Sequence, residues 1–278
     1  MPGEELADAL AAAERLRDEG LGSVLTLLGE NLESIDEAVA VAEHYTEALR
    51  EIRARGLPTE ISVKLTQLGL DLDPERCAAF VDALATEAAA VGTWLWIDME
   101  GSAYTDRTIA LYERTRVGHE QVGLCLQAYL HRTPADVERL RPLRPSIRLV
   151  KGAYDEPAAI AYRRREDVDR AFLGLAVELL AGVADGTIGR AILGTHDTRL
   201  VDQATRFAEA RGLSRERIEV QMLYGIRTRE QRRLRSEGYA VRALISYGSS
   251  WYPWYMRRLA ERPANVLFAL RALLPSPR

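Results

Sequence analysis

Short apolar runs alternate with longer amphipathic stretches along the chain. The runs cover residues 23–28 (SVLTLL), 60–65 (EISVKL), 93–99 (TWLWIDM), 122–130 (VGLCLQAYL), 146–152 (SIRLVKG), 190–196 (RAILGTH), 218–225 (IEVQMLYG) and 240–248 (AVRALISYG). Near-continuous apolar character, rather than strict alternation, marks strands buried on both faces, as in a parallel sheet. The stretches between them have helical spacing. Over 34–55, Ile35, Val39, Ala42 and Leu49 share one face. Asp73-Pro74 opens a helix with a capping side chain and a first-turn proline, and Ala78, Val81 and Leu84 form its apolar stripe. Thr133-Pro134 repeats that signal and Asp155-Glu156-Pro157 repeats it more loosely. Gly92, Gly212 and Gly238 follow helical runs, where a left-handed C-terminal cap is commonly required.

Eight strand–helix alternations predict an α/β fold of the (β/α)8 TIM type. A short N-terminal helix precedes the first strand and an extra C-terminal helix follows the last. The competing doubly wound sheet predicts a Gly-rich turn after an early strand, and no G-x-G-x-x-G occurs. No linker-like segment interrupts the pattern, so residues 1–278 read as a single domain.

Composition narrows the function classes. Hydrophobic residues make up 47% and charged residues 28%, which excludes a disordered or low-complexity chain. A net charge of −4 provides no broad basic field for nucleic acid. Cys77 and Cys125 lie in apolar runs, which argues against a disulfide framework and suits a reducing compartment. No apolar run reaches the roughly 18 residues of a membrane span. The charged N-terminus lacks the pattern of a signal peptide. A cytoplasmic location is expected, and peripheral contact with a membrane surface stays open.

Active sites of such barrels lie at the C-terminal strand ends. Polar residues gather there in this sequence: Lys64; Asp98 and Glu100; Gln127 and Tyr129; Arg148, Lys151 and Tyr154; Thr195, His196 and Asp197; Gln221 and Tyr224; Ser246 and Tyr247. One such residue alone reads as a side chain snorkelling to water. Charges inside apolar strands are costly unless paired or used, and recurrence of polar residues on seven strands at one end reads as a site. Lys64 and Asp98 are expected to pair. In the last helix, Arg257 and Arg258 follow Trp251, Tyr252, Trp254 and Tyr255, with Glu261 within reach of both. Two guanidinium forks suit a small carboxylate, although a solvated helix laced with ion pairs has the same pattern. His44 and His119 read as solvent residues, and the run Arg163-Arg164-Arg165, balanced by Glu166, Asp167 and Asp169, reads as an exposed helix surface. His196 and Asp197 have no third ligand at a recognised metal spacing.

The segments ISVKLTQLG, WIDME, LQAYLHR, IRLVKGAY, GTHD and MRRLAERPAN, in that order, resemble the bacterial monofunctional proline dehydrogenase family from about Gly20 to Asn265. The resemblance implies a distorted barrel with FAD across the strand ends. It implies oxidation of L-proline, or a proline-like cyclic amino acid, to a Δ1-pyrroline-5-carboxylate-type imine, with electrons passed to a quinone-type acceptor. By resemblance, Lys64 contacts substrate, Asp98 supports the site and Arg148 lies near the flavin's reactive nitrogen. Met99, Gln127, Lys151, Gly152, Ala153, Thr195 and His196 match further flavin contacts. Leu223 matches an apolar wall, Arg257 and Arg258 the carboxylate clamp, and Glu261 their partner.

The physics of the reaction agrees with this arrangement. Hydride transfer to a flavin needs orientation more than an acid or base, and a bidentate clamp on the carboxylate orients the ring. A cation near the flavin stabilises the charge that grows on reduction. Cations around the amine favour its neutral form, from which hydride can leave. The sequence departs from the family where Leu244 and Ser246 follow Arg242 and where Trp254 precedes the arginine pair. The family usually has tyrosine, proline and tyrosine at those positions. The departures point to a substrate such as hydroxyproline or another substituted proline. Two other readings remain: a Schiff-base lyase or aldolase using Lys64 or Lys151, and a barrel retained as a binding module.

Overall fold

The computed structural model describes residues 1–29 and 32–251. Eight parallel strands close a barrel in sequence order: β1 (Gly22–Leu27), β2 (Thr59–Val63), β3 (Leu95–Ile97), β4 (Val122–Gln127), β5 (Ser146–Val150), β6 (Arg190–Gly194), β7 (Glu219–Leu223) and β8 (Ala240–Tyr247). Closure is by β8 against β1, from Gly22↔Arg242 to Leu27↔Tyr247. The helices are α1 (Leu6–Asp18), α2 (Ile35–Ala54), α3 (Pro74–Val91), α4 (Thr105–Gly118), α5 (Thr133–Leu140), α6 (Arg165–Asp185), α7 (Thr198–Glu209) and α8 (Thr228–Ser236). The expected barrel and its leading helix are present. The strands end one to three residues before most of the apolar runs do, because the last residues of each run turn into the loops that form the mouth. Among the described residues no helix is long and apolar enough to cross a membrane.

Strand side chains alternate between two cores. Outward residues such as Ile61, Ile97, Leu124, Leu149 and Val220 pack with the helices in the main apolar cluster. Inward residues are mixed. Val24, Trp96 and Ile192 form a small cluster with Trp94 and Leu244 in the lumen. Below it, at the N-terminal end, Arg190 joins Glu60 at 2.9 Å and Glu219 at 2.6 Å, and Arg242 reaches Glu60 at 3.2 Å. The Trp96 indole donates to Glu60 at 2.7 Å. These paired charges fill the barrel floor where aliphatic layers are usual.

Helices start at both signals; Asp73 caps α3, accepting from the Arg76 amide at 3.0 Å, whereas Thr133 lies inside α5 and does not cap it, its hydroxyl donating to the Gln127 carbonyl instead. The signal at Asp155–Pro157 makes only one turn, with Ile160 and Ala161 donating to the Pro157 carbonyl. α6 begins at Arg165 instead. The backbone of 155–162 is drawn to the β4 exit: His131 donates to the Ile160 carbonyl, Tyr162 donates to the Tyr129 carbonyl, and Leu130 bridges Ala161. The Glu156 carboxylate accepts from the Ser102 amide and hydroxyl at 2.7 and 2.6 Å. Both histidines expected in solvent are engaged. The His44 ring contacts the Tyr247 hydroxyl at 2.8 Å, and His119 pairs with Asp82 at 2.8 Å.

Candidate active site

At the C-terminal end of the barrel, the lumen holds a buried guanidinium. Arg148, inward from β5, is 3% exposed. Its fork donates to Asp98 and, at 2.9 Å, to the Ser62 hydroxyl, while its other arm reaches the Gln221 carbonyl oxygen at 3.3 Å. Ser62 in turn donates to Asp98 at 3.0 Å. The guanidinium carbon lies 5.5 Å from the Trp96 ring centroid. Burial works against its charge, but the groups around it, the Asp98 carboxylate first, outweigh that and keep it more firmly protonated than usual. Strands β2, β3, β5 and β7 thus converge on one cation, and its direction is fixed by three partners.

The expected Lys64–Asp98 pair does not form: Asp98 belongs to Arg148. A guanidinium buried in the lumen needs a carboxylate more than a half-buried ammonium does. Lys64, just past β2, makes no hydrogen bond or ion pair among the described residues. Lys151, just past β5, is bound on two sides. Its ammonium pairs with Asp169 of α6 and lies 3.6 Å from Asp197. Asp197 also holds Arg199 through two bonds of 3.0 and 2.9 Å. That bond, opposed by burial and aided by Lys151, holds the Asp197 carboxyl at about 2. Lys64 and Lys151 are the only lysines in the chain; every other basic residue among the 37 is arginine.

The remaining predicted residues ring the same mouth. Gln127, buried, donates to the Glu100 carbonyl at 2.8 Å, and Glu100 anchors Thr66 through its amide and hydroxyl. Met99 and Thr195 are buried. The His196 ring accepts from the Leu223 amide at 3.3 Å. Ala153 is half-buried beside Gly152, whose φ of +122° suits glycine; a Cβ there would lie 2.3 Å from the Tyr129 ring. Leu223 and Leu244 are register partners on β7 and β8, both half-buried, and give that wall an apolar character. Trp254, Arg257, Arg258 and Glu261 lie outside the described residues.

Two functional candidates escaped the reading of the sequence, Ser62 and Asp169, while Gln221 was placed at the mouth without its partner. Ser62 and Gln221 matter through contacts across the lumen, which no local pattern announces. Asp169 was hidden in a charge run that resembled solvated surface. The scarcity of lysine is the signal that could have isolated Lys64 and Lys151: where arginine is used everywhere else, an ammonium kept at two strand ends reads as a requirement.

The mouth also has unmet polar capacity suited to a bound group. The Gln221 amide nitrogen is buried, with no hydrogen-bond partner among the described residues. With Arg148, Lys64 and Lys151 it forms a donor-rich set, the chemistry expected around a negatively charged cofactor rich in acceptor atoms.

The proline dehydrogenase family model matches residues 9–271. Proline dehydrogenase 1 of Bacillus subtilis is 35% identical over 273 residues, covering 98% of this chain and 88% of that protein. Proline dehydrogenase of Deinococcus radiodurans is 36% identical over 278 residues, with the same coverage. Among solved structures, proline utilization A (PutA) from Bdellovibrio bacteriovorus, inactivated by N-propargylglycine, superposes with a TM-score of 0.84 at 22% identity. That match covers 93% of this chain and 32% of the PutA chain.

Proposed function

The chain belongs to the proline dehydrogenase family of FAD-dependent oxidoreductases acting on CH–NH bonds, and on that premise we propose that it oxidises L-proline to Δ1-pyrroline-5-carboxylate in one barrel domain spanning 1–278. FAD, when bound, supplies the hydride acceptor. Gln127, Arg148, Lys151, Gly152, Ala153, Met99, Thr195 and His196 would hold it, and the open donor of Gln221 belongs to the same wall.

The chain's own residues orient and polarise. Arg148 presents a fixed positive charge without reorganisation, because Asp98, Ser62 and Gln221 already hold it. Lys64, with no carboxylate partner among the described residues, keeps its charge available and favours the neutral form of a nearby substrate amine. Leu223 and Leu244 offer a hydrocarbon face to the ring and exclude water. Arg257 and Arg258 would grip the carboxylate, with Glu261 steadying them and Trp254 beside the ring. The proposal has the enzyme work in the cytoplasm and pass its electrons to a quinone-type acceptor, met at the inner face of a membrane.

The observation that carries this reading is the buried Arg148 held from three strands at the end of the barrel where such folds do chemistry. The test is the visible spectrum of the purified protein, followed by anaerobic addition of L-proline and, separately, 4-hydroxyproline. A flavin band that bleaches with L-proline supports the reading. Bleaching by 4-hydroxyproline alone would move the substrate to the substituted ring suggested by Leu244. A colourless protein whose Lys64 or Lys151 is trapped by borohydride in the presence of substrate would replace the reading with a Schiff-base enzyme.

A further inference from the structure

Lys151 is one of two lysines in the chain, and its position is not set by its own strand. A lysine side chain has four rotatable bonds and a compact, strongly hydrated charge. At the rim of a site, where Lys151 is 24% exposed, it needs an outside partner to hold one direction. Two carboxylates are near, and they are not equivalent. Asp197 is 3.6 Å from the ammonium and is already committed to Arg199 through both oxygens. Asp169 bonds the ammonium directly, and its own nearest alternative, Arg165, is 3.9 Å away.

We propose that Asp169 is the positioning residue of this site, aiming the Lys151 ammonium so that its remaining N–H donor faces the flavin-holding mouth. This rests on the reading that Lys151 helps to hold the flavin. An ammonium has three donors. Asp169 takes one, Asp197 draws a second, and a third is left to give. A guanidinium at this position would match a carboxylate with two parallel donors and be turned toward the helices by that fork, which explains lysine in a chain that otherwise uses arginine. Asp169 also comes from the far side of a long excursion. Residues 152–164 leave β5, cross to the β4 exit and return as α6. The Lys151–Asp169 bond therefore closes that excursion at its base and joins the cofactor-facing residue to a rigid helix.

The test uses the flavin-loaded protein. The rate at which FAD leaves is followed by the fluorescence of released flavin, with an excess of a flavin-scavenging protein preventing rebinding, for wild type, Lys151→Met, Asp169→Asn, Asp169→Glu and the Lys151→Met/Asp169→Asn pair. Lys151→Met and Asp169→Asn are each expected to release FAD about tenfold faster, the scale of one lost charge-assisted hydrogen bond. The double variant is expected to be no faster than Lys151→Met, because Asp169 acts only through the ammonium. Asp169→Glu is expected to recover part of the loss. Reductive methylation with 13C-formaldehyde gives a second readout, since only two lysines report besides the N-terminus: Asp169→Asn should shift the Lys151 signal and leave that of Lys64 in place. Normal release from Asp169→Asn beside fast release from Lys151→Met would overturn the role of Asp169 alone. Additive effects in the double variant would reduce Asp169 to a structural part and overturn it equally. Normal release from Lys151→Met would overturn the flavin role of Lys151 and the proposal with it.

Discussion

Removing Asp98 should destabilise the protein more than removing Arg148, although the two form one ion pair. The arginine side chain is 4% exposed and the aspartate side chain 19%. In Asp98→Ala the guanidinium stays in the lumen with only neutral partners, the Ser62 hydroxyl and the Gln221 carbonyl. Breaking a buried pair in this way costs about 3–5 kcal/mol. The neutral bonds persist in the variant and the vacated space connects to the wet mouth, so the lower end applies, about 3 kcal/mol. In Arg148→Met an unbranched apolar chain fills much of the arginine's volume against Trp96. Asp98 keeps its Ser62 bond and can take water, so the loss is about 1–2 kcal/mol. At about 1.7 °C per kcal/mol for a chain of this size, these correspond to roughly 5 °C and 2–3 °C in Tm. The double variant should be more stable than Asp98→Ala alone, because the unpaired charge is gone. Urea unfolding is the assay, followed by tryptophan fluorescence, since Trp96 lies directly beside the guanidinium. If Asp98→Ala is as stable as Arg148→Met, or if adding Arg148→Met destabilises Asp98→Ala further, then the lumen does not penalise an isolated cation and the account of Arg148 as a buried, pre-oriented charge is wrong.

Two further outcomes follow from the geometry. Burial holds His44 below its ordinary 6.5, with Glu5 pulling the other way, and its ring meets the Tyr247 hydroxyl and lies edge-on to Tyr45. The native state therefore favours the neutral ring. Its contribution is complete above pH 6.5 and is lost as pH falls from there toward the lowered native value; His44→Gln should flatten the dependence of the urea midpoint on pH in that window, and an unchanged slope would assign it to other groups. Gly152→Ala would force a Cβ onto the Tyr129 ring at a φ of +122°, with a loss of about 1–3 kcal/mol by calorimetry and faster flavin release; a variant as stable as wild type would mean that Tyr129 moves aside freely.

The eight strands were legible because strands buried on both faces appear as continuous apolar runs, and the lengths between them left room for one helix each. Their ends were overread for the same reason that the site could be located. Lys64, Asp98, Lys151 and Thr195 continue the runs in sequence but lie just past the strands in space. Pairing across the lumen was not legible. Asp98 meets Arg148 from β5 rather than Lys64 from the neighbouring strand, and Ser62 and Gln221 join them from opposite walls. Strand periodicity says which residues face inward but not which of them touch. The charge run at the start of α6 misled in a similar way: five exposed-looking residues concealed Asp169, whose partner lies 18 positions earlier. His44 looked solvated because its neighbours along the helix are charged, and only the closing of the barrel brings Tyr247 of β8 to it.

The confinement of lysine to two strand ends has a practical consequence. A lysine-specific endoprotease has two bonds to attack in this chain, after Lys64 and after Lys151. Each is followed by backbone that the fold locks: Leu65 is fully buried, and Gly152 is wedged beside Tyr129. Neither bond can enter a protease cleft unless the mouth opens locally, so the rate of cutting at each position measures the opening of its own loop. Digestion in the presence and absence of bound ligands would thus read the β2 and β5 sides of the mouth separately, in the unlabelled wild-type protein.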